Sequence, residues 1–114
     1  MNLVLLKLAG ALAGTGVAAE AVGAHGFKEK DEKFTNAWRS GARLQTLHGV
    51  ALLALASAPL SDTRLKLTGA GLALGTLLFS GGCYGFAIME DKKYSKIAPY
   101  GGMLMIGSWL SLVF

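Results

Sequence analysis

The chain has 114 residues, 53% of them hydrophobic and 16% charged, with a net charge of +4 and a mean hydropathy of +0.47. That length leaves room for one domain, and a soluble domain this small, with roughly 25% charged residues as the norm, has too much surface to hide so much apolar area. The single cysteine, Cys83, excludes an intrachain disulfide or a cysteine metal cluster, while sixteen glycines suit membrane helices, where small residues let backbones approach.

The first apolar stretch, residues 3–26, is interrupted only by Lys7 and Glu20. Lys7 lies near the end, where its head can reach the interface. Glu20 is costlier, since an ionised acid near mid-helix carries a penalty on the order of 3 kcal/mol on insertion scales. It is therefore expected to be protonated, paired or exposed to water. On a helical projection it shares a side with Ala13, Gly16 and Gly23 and lies about 140° from His25. Two readings stand: a hydrogen-bonding partner inside the bundle or on another subunit, and a proton or cation relay. Gly10 and Gly14 form a G-x-x-x-G pair on the same helix. Gly14, Gly16 and Ala19 approximate a dinucleotide fingerprint, but no strand precedes them and no βαβ unit surrounds them. Residues 17–21 carry the small residues of a signal-peptidase site at Ala19 and Ala21, yet the segment is expected to be retained.

Residues 27–43 read as a charged turn followed by an amphipathic lead-in to a second helix, with Trp38 and Arg39 expected at the headgroups. Three further stretches, 44–61, 67–89 and 97–114, lack Asp, Glu, Lys and Arg. Each approaches or exceeds the about 20 residues that cross a hydrocarbon core. On the second, Gln45 and His48 share a face with Trp38, Gly41 and Leu52. If the first two helices pack antiparallel, His25 and His48 both lie toward the first loop, at similar depth. Paired histidines on facing helices can ligate haem iron, but we expect a polar cluster of His25, Gln45 and His48, with no cofactor and no metal. The third stretch carries Gly71 and Gly75, a second G-x-x-x-G pair, and Gly82 extends them into a smooth seam. Its reading is packing within the bundle or a contact face for another subunit. On the opposite side Thr76, Ser80 and Tyr84 recur at four-residue spacing beside Cys83, a pattern of interhelical hydrogen bonding or, less ordinarily, of a solute path. In the last stretch Pro99 falls in the first turn, where its missing N–H is tolerated, and Ser95 is a candidate cap.

Four spans place both termini on one side. The first and third loops hold Lys28, Lys30, Lys33, Arg39, Arg43, Lys92, Lys93 and Lys96, against Lys7, Arg64 and Lys66 on the other side. Positive charge therefore orients those two loops toward the cytoplasm or the mitochondrial matrix. The basic residues form no basic helix face and no aromatic platform, so nucleic acid is not an expected partner.

Four motifs in order, Gly23-Ala24-His25-Gly26, Ala42-Arg43-Leu44-Gln45-Thr46-Leu47-His48, Leu78-Phe79-Ser80-Gly81-Gly82-Cys83-Tyr84 and Ile97-Ala98-Pro99-Tyr100-Gly101-Gly102 with Trp109, resemble the bacterial domain-of-unknown-function 423 family. The chain is similar in length and layout to that family's eukaryotic relatives, called transmembrane protein 256. The resemblance covers nearly the whole chain. It implies a four-helix inner-membrane protein, mitochondrial in eukaryotes, with no assigned activity and no catalytic residues. Glu20 stands where that family usually has a small or apolar residue.

The expectation is therefore an all-α membrane protein, one four-transmembrane-helix bundle with spans at 3–26, 44–61, 67–89 and 97–114. Its partners are the lipid bilayer and other integral membrane subunits. The functional expectation is a non-catalytic accessory or scaffold subunit of an inner-membrane assembly, for which a respiratory-chain complex is a reasonable host. The rival is a small transporter of protons, ions or solute that uses Glu20 and the Thr76, Ser80 and Tyr84 stripe. Glu20, His25, Gln45, His48 and Tyr84 form the candidate polar cluster, and Gly10, Gly14, Gly71, Gly75 and Gly82 the candidate packing positions.

Overall fold

The computed structural model of the protein describes residues 1–27 and 29–114, so Lys28, counted above among the basic residues of the first loop, lies outside the described residues. All regular structure among them is helical. Asn2 opens the first helix, α1 (Leu3–Gly26), its side chain accepting from the Leu5 N–H at 3.1 Å and so satisfying one of the donors a helix start leaves free. The second helix, α2, runs Glu32–Leu55. Ser61 caps α3 (Asp62–Met89) by accepting from the Arg64 N–H, and Glu90 ends it in the left-handed region at φ 56°. Asp91 caps a one-turn helix, α4 (Lys92–Ser95), and α5 (Ala98–Leu110) follows, closing in a 3-10 turn at Ser111–Val113.

Helix ends depart from the charge-free stretches at several places. The stretch 44–61 is not one continuous helix: α2 begins at Glu32 and stops at Leu55. Pro59 cannot continue a helix, and the Ala56 carbonyl instead accepts from the Asn2 N–H at 2.9 Å. The stretch 97–114 is helical only to Leu110 before it tightens into the 3-10 turn. Ser95 does not cap the last helix. It ends α4, where its hydroxyl donates to the Lys92 carbonyl at 2.7 Å.

The long helices pack largely in chain order, α1 on α2, α2 on α3 and α3 on α5. Glycine makes each crossing close. At α1–α2 a Cβ on Gly49 would stand 2.5 Å from the Ala13 backbone nitrogen, and at α3–α5 one on Gly101 would run into the Phe79 backbone nitrogen. Leu5, Ala9, Leu12, Leu52, Leu55, Leu65 and Leu72 fill one end of the bundle, and Phe27, Phe34 and Ala87 with Trp38 and Phe86 fill the other. The apolar side chains outnumber this core. Within the apolar windows of Leu3–Gly26 and Asp62–Met89, the two helices long and apolar enough to cross a membrane, only 22% and 33% of residues are buried. Leu, Val, Ile and Met side chains cover the outside of the bundle. Water would not tolerate such a surface, whereas hydrocarbon does. The 47 Å long axis also suits a bilayer of about 40–45 Å with its headgroups.

Candidate functional site

Polar side chains at mid-height form two separate hydrogen-bonded groups, not one cluster. The first joins α1, α2 and α3. Gln45 Nε2 donates to the Leu12 carbonyl at 3.1 Å and to Thr15 Oγ1, and the Tyr84 hydroxyl donates to Gln45 Oε1 at 2.6 Å. Nearby, Ser80 Oγ donates across the α2–α3 crossing to the Gly41 carbonyl at 2.7 Å. Gly41 permits this approach, because a Cβ there would stand 3.0 Å from the Cys83 Cβ. Thr76 donates back to the Leu72 carbonyl at 2.7 Å.

The second group joins α2 to α5. Trp109 Nε1–H donates to His48 Nε2 at 3.0 Å, and His48 Nδ1 lies 2.8 Å from the Leu44 carbonyl. Because the indole can only donate, Nε2 is the bare nitrogen and the ring proton sits on Nδ1. Gln45 and His48 part company because three residues on a helix leave them about 60° apart. One therefore faces α1 and α3, the other α5.

His25 and Glu20 belong to neither group; both are exposed. His25 ends α1, whereas His48 lies in the far half of α2. Antiparallel pairing sets Gly16 against Thr46 and Gly23 against Trp38, which puts His25 level with about residue 37. Eleven residues of helix, about 16 Å, then separate the two histidines in depth, so the expectation of similar depth fails and the pair cannot face one ligand. Glu20 lies on the side that meets α2, as Ala13, Gly16 and Gly23 do, but at its rim. It makes no hydrogen bond or ion pair among the described residues.

The glycines divide in the same way. Gly71 lies against Ser108, Gly75 against Gly101 and Met105, and Gly82 against Tyr94 and Ala98, so the seam on α3 faces the α4–α5 segment. Gly10 and Gly14 do not pack within the bundle, since a Cβ on either meets nothing within 4 Å. Trp38, expected at the headgroups, packs between helices at one end of the bundle. Its indole fills the notch at Gly23, donates to the Ala19 carbonyl at 2.7 Å and lies 4.5 Å from the Tyr84 ring and 4.9 Å from that of Phe27, centroid to centroid. Thr15 and Trp109 were also not singled out as partners of Gln45 and His48. The signal for them was chemical: an amide and an imidazole in hydrocarbon each need complementary groups.

No group of three His, Cys, Asp or Glu side chains that could hold a metal ion occurs among the described residues. Nor does any buried side-chain nitrogen or oxygen there lack a hydrogen-bond partner. The polar interior is thus a closed network that ties helices together.

Most of this chain is similar to known proteins. The family described as Protein of unknown function (DUF423) matches residues 19–102. The chain belongs to that family. It is 33% identical to a UPF0382 membrane protein of Staphylococcus haemolyticus, over 85% of this chain and 81% of the relative. Its identity to the UPF0382 membrane protein YwdK of Bacillus subtilis is 30%, over 96% and 91% of the two chains. The UPF0382 inner membrane protein YgdD of Escherichia coli is 32% identical over 82% and 73%. No solved structure matches. With an apolar outer surface and relatives named membrane proteins, this DUF423 chain is an all-helical integral membrane protein.

Proposed function

We propose that the protein is a non-catalytic accessory or scaffold subunit whose α1 face receives a helix of another integral membrane protein. One observation carries this reading: Glu20 is exposed on an apolar helix without a partner among the described residues. An acid held in hydrocarbon is stable only where something bonds it or water reaches it. Gly10 and Gly14 support the reading, because they leave a smooth surface on α1 that this chain does not fill, about 80–120° around the helix from Glu20, whereas Gly71, Gly75 and Gly82 are all covered by the α4–α5 segment. The transporter rival fares less well, because the Thr76, Ser80 and Tyr84 hydroxyls donate into the bundle and Glu20 is no part of their network.

In the same proposal the chain crosses the membrane four times, with the termini together on the less positive side. The Lys30–Glu90 ion pair at 3.1 Å supports this by holding the first and third loops at one end. The membrane is the inner membrane, as in the name of the Escherichia coli relative, and in a eukaryotic cell the mitochondrial inner membrane, where a respiratory-chain complex is the candidate host. The test is purification in mild detergent, with co-migrating proteins identified for wild type and for Gly14→Leu. A leucine at Gly14 meets nothing in its own chain, so the fold should persist while the partner is lost. Partners that co-purify unchanged with Gly14→Leu and with Glu20→Leu would overturn the reading.

A further inference from the structure

A cleft of about 180 Å³ opens between α1 and α3, with Gln45 of α2 as its floor. Leu12 and Thr15 form one wall, and Thr76, Leu77, Ser80, Gly81 and Tyr84 form the other. Thr15, Leu77 and Gly81 at the rim are exposed on the apolar outside of the bundle, so the mouth faces lipid and not an aqueous end. Thr15, Gln45 and Thr76 all lie near the middle of their helices, which sets the cleft at mid-height.

Hydrogen-bonding capacity in this cleft is one-sided. Thr15 donates to the Ala11 carbonyl, Thr76 to Leu72, Ser80 to Gly41, and Tyr84 to Gln45 Oε1. Both protons of the Gln45 amide are committed as well, to the Leu12 carbonyl and to Thr15. Every side-chain donor is therefore used within the bundle; Thr76 and Ser80 are themselves buried, so what remains open to the cleft is lone pairs on Thr15, Tyr84 and the Gln45 amide oxygen. A ligand that brings only acceptors, such as an ether, an ester or an anion, would find no proton here. A bare cation would have to shed its water at mid-membrane with no counter-charge in the lining.

We infer that the cleft binds the hydroxyl head of a small neutral molecule dissolved in the membrane, a phenol, quinol or alcohol, which enters sideways between α1 and α3 and donates its O–H to this acceptor surface. The size fits: a cavity of about 150 Å³ is enough to hold a benzene ring. The rim fits as well, since Leu77 and Gly81 leave an apolar passage for the tail of such a molecule.

The full-length protein in lipid nanodiscs is titrated with para-hexylphenol and, separately, with para-hexylanisole, which has nearly the same shape but no O–H. Tryptophan emission reports occupancy through Trp38, whose ring lies 4.5 Å from that of Tyr84, while Trp109 lies against His48 and gives a constant background. The phenol should give a saturable change, and the anisole should bind at least roughly tenfold more weakly, as expected when a buried hydrogen bond goes unmade. Gly81→Leu should abolish saturation while leaving helical content intact, because a Cβ at Gly81 meets nothing within 4 Å and the longer side chain reaches over the mouth. Saturation by n-decanol too would assign the site to alcohols in general, and its absence would restrict it to ring hydroxyls. Superimposable curves for phenol and anisole, or no saturation by either as for a cleft that holds only water, would overturn the inference without bearing on the scaffold reading, which rests on Glu20, a residue that does not line this cleft.

Discussion

Trp109 on α5 and His48 on α2 are joined by an N–H···N bond of 3.0 Å, with the rings 5.9 Å apart edge-to-face, and this bond fixes the histidine as the Nδ1–H tautomer. Long-range nitrogen–proton correlation spectra should show the His48 proton on Nδ1. Trp109→Phe should keep the ring contact but leave Nε2 unpaired, at a cost of about 1–3 kcal/mol, read as a lower unfolding temperature in detergent. An Nε2–H signal in the native protein would contradict the bond.

Gly75 and Gly69 are both buried on α3, but they differ in what a side chain would meet. At Gly75 a Cβ stands 2.9 Å from the Gly101 carbonyl and 3.0 Å from the Met105 nitrogen, both backbone; at Gly69 it meets only the end of the Leu5 side chain. Leucine at Gly75 should therefore force α3 and α5 apart and cost about 3 kcal/mol or more, while leucine at Gly69 is milder because Leu5 can turn aside. Equal thermal stability of the two variants would show that the α3–α5 contact is not the tight one.

Cysteines at Ser61 and Ser95, in a Cys83→Ala background, should react with an impermeant maleimide from opposite faces of sealed vesicles. The two positions lie at opposite ends of the α3–α4 segment, and Ser95 adjoins the loop that Glu90 ties to Lys30. Labelling of both from one face would exclude the four-span arrangement.

Glu20→Gln should preserve assembly, and Glu20→Leu should weaken it. Glutamine retains a donor and an acceptor of similar reach, whereas leucine leaves the partner group unsatisfied, at about 1–3 kcal/mol. In reconstituted vesicles with a pH-sensitive dye, neither variant should alter proton flux. Flux that depends on the protein and disappears in Glu20→Gln would establish the relay in place of the scaffold.

The helical class and the membrane environment were legible from the excess of apolar residues and from the charge-free stretches, because desolvation acts on composition directly. Helix ends were less legible. Absence of charge marks what lipid can hold, not where backbone hydrogen bonds stop, so Pro59 truncates α2 inside an apolar run and Ser61 starts α3 ahead of one. Of the five residues expected in one polar cluster, Gln45 and Tyr84 meet, while His48 turns to Trp109 and His25 and Glu20 stand outside. Spacing along one helix gives direction around that helix alone. Which helix lies in that direction depends on crossing points set by Gly41, Gly49 and Gly101, whose partners are remote in sequence.

The brevity of α5 has a consequence for the surrounding membrane. Its thirteen residues extend about 20 Å, while the 28 of α3 beside it extend about 42 Å. No single hydrocarbon thickness matches both. If α5 crosses the bilayer as proposed, lipid next to it thins or the bundle tilts, and either response costs a fraction of a kcal/mol for each ångström of mismatch. Acyl-chain length thus becomes a variable that acts on this protein, with shorter-chain bilayers the more comfortable host. A neighbouring helix laid along the opposite flank, on α1, would leave that thinned margin untouched.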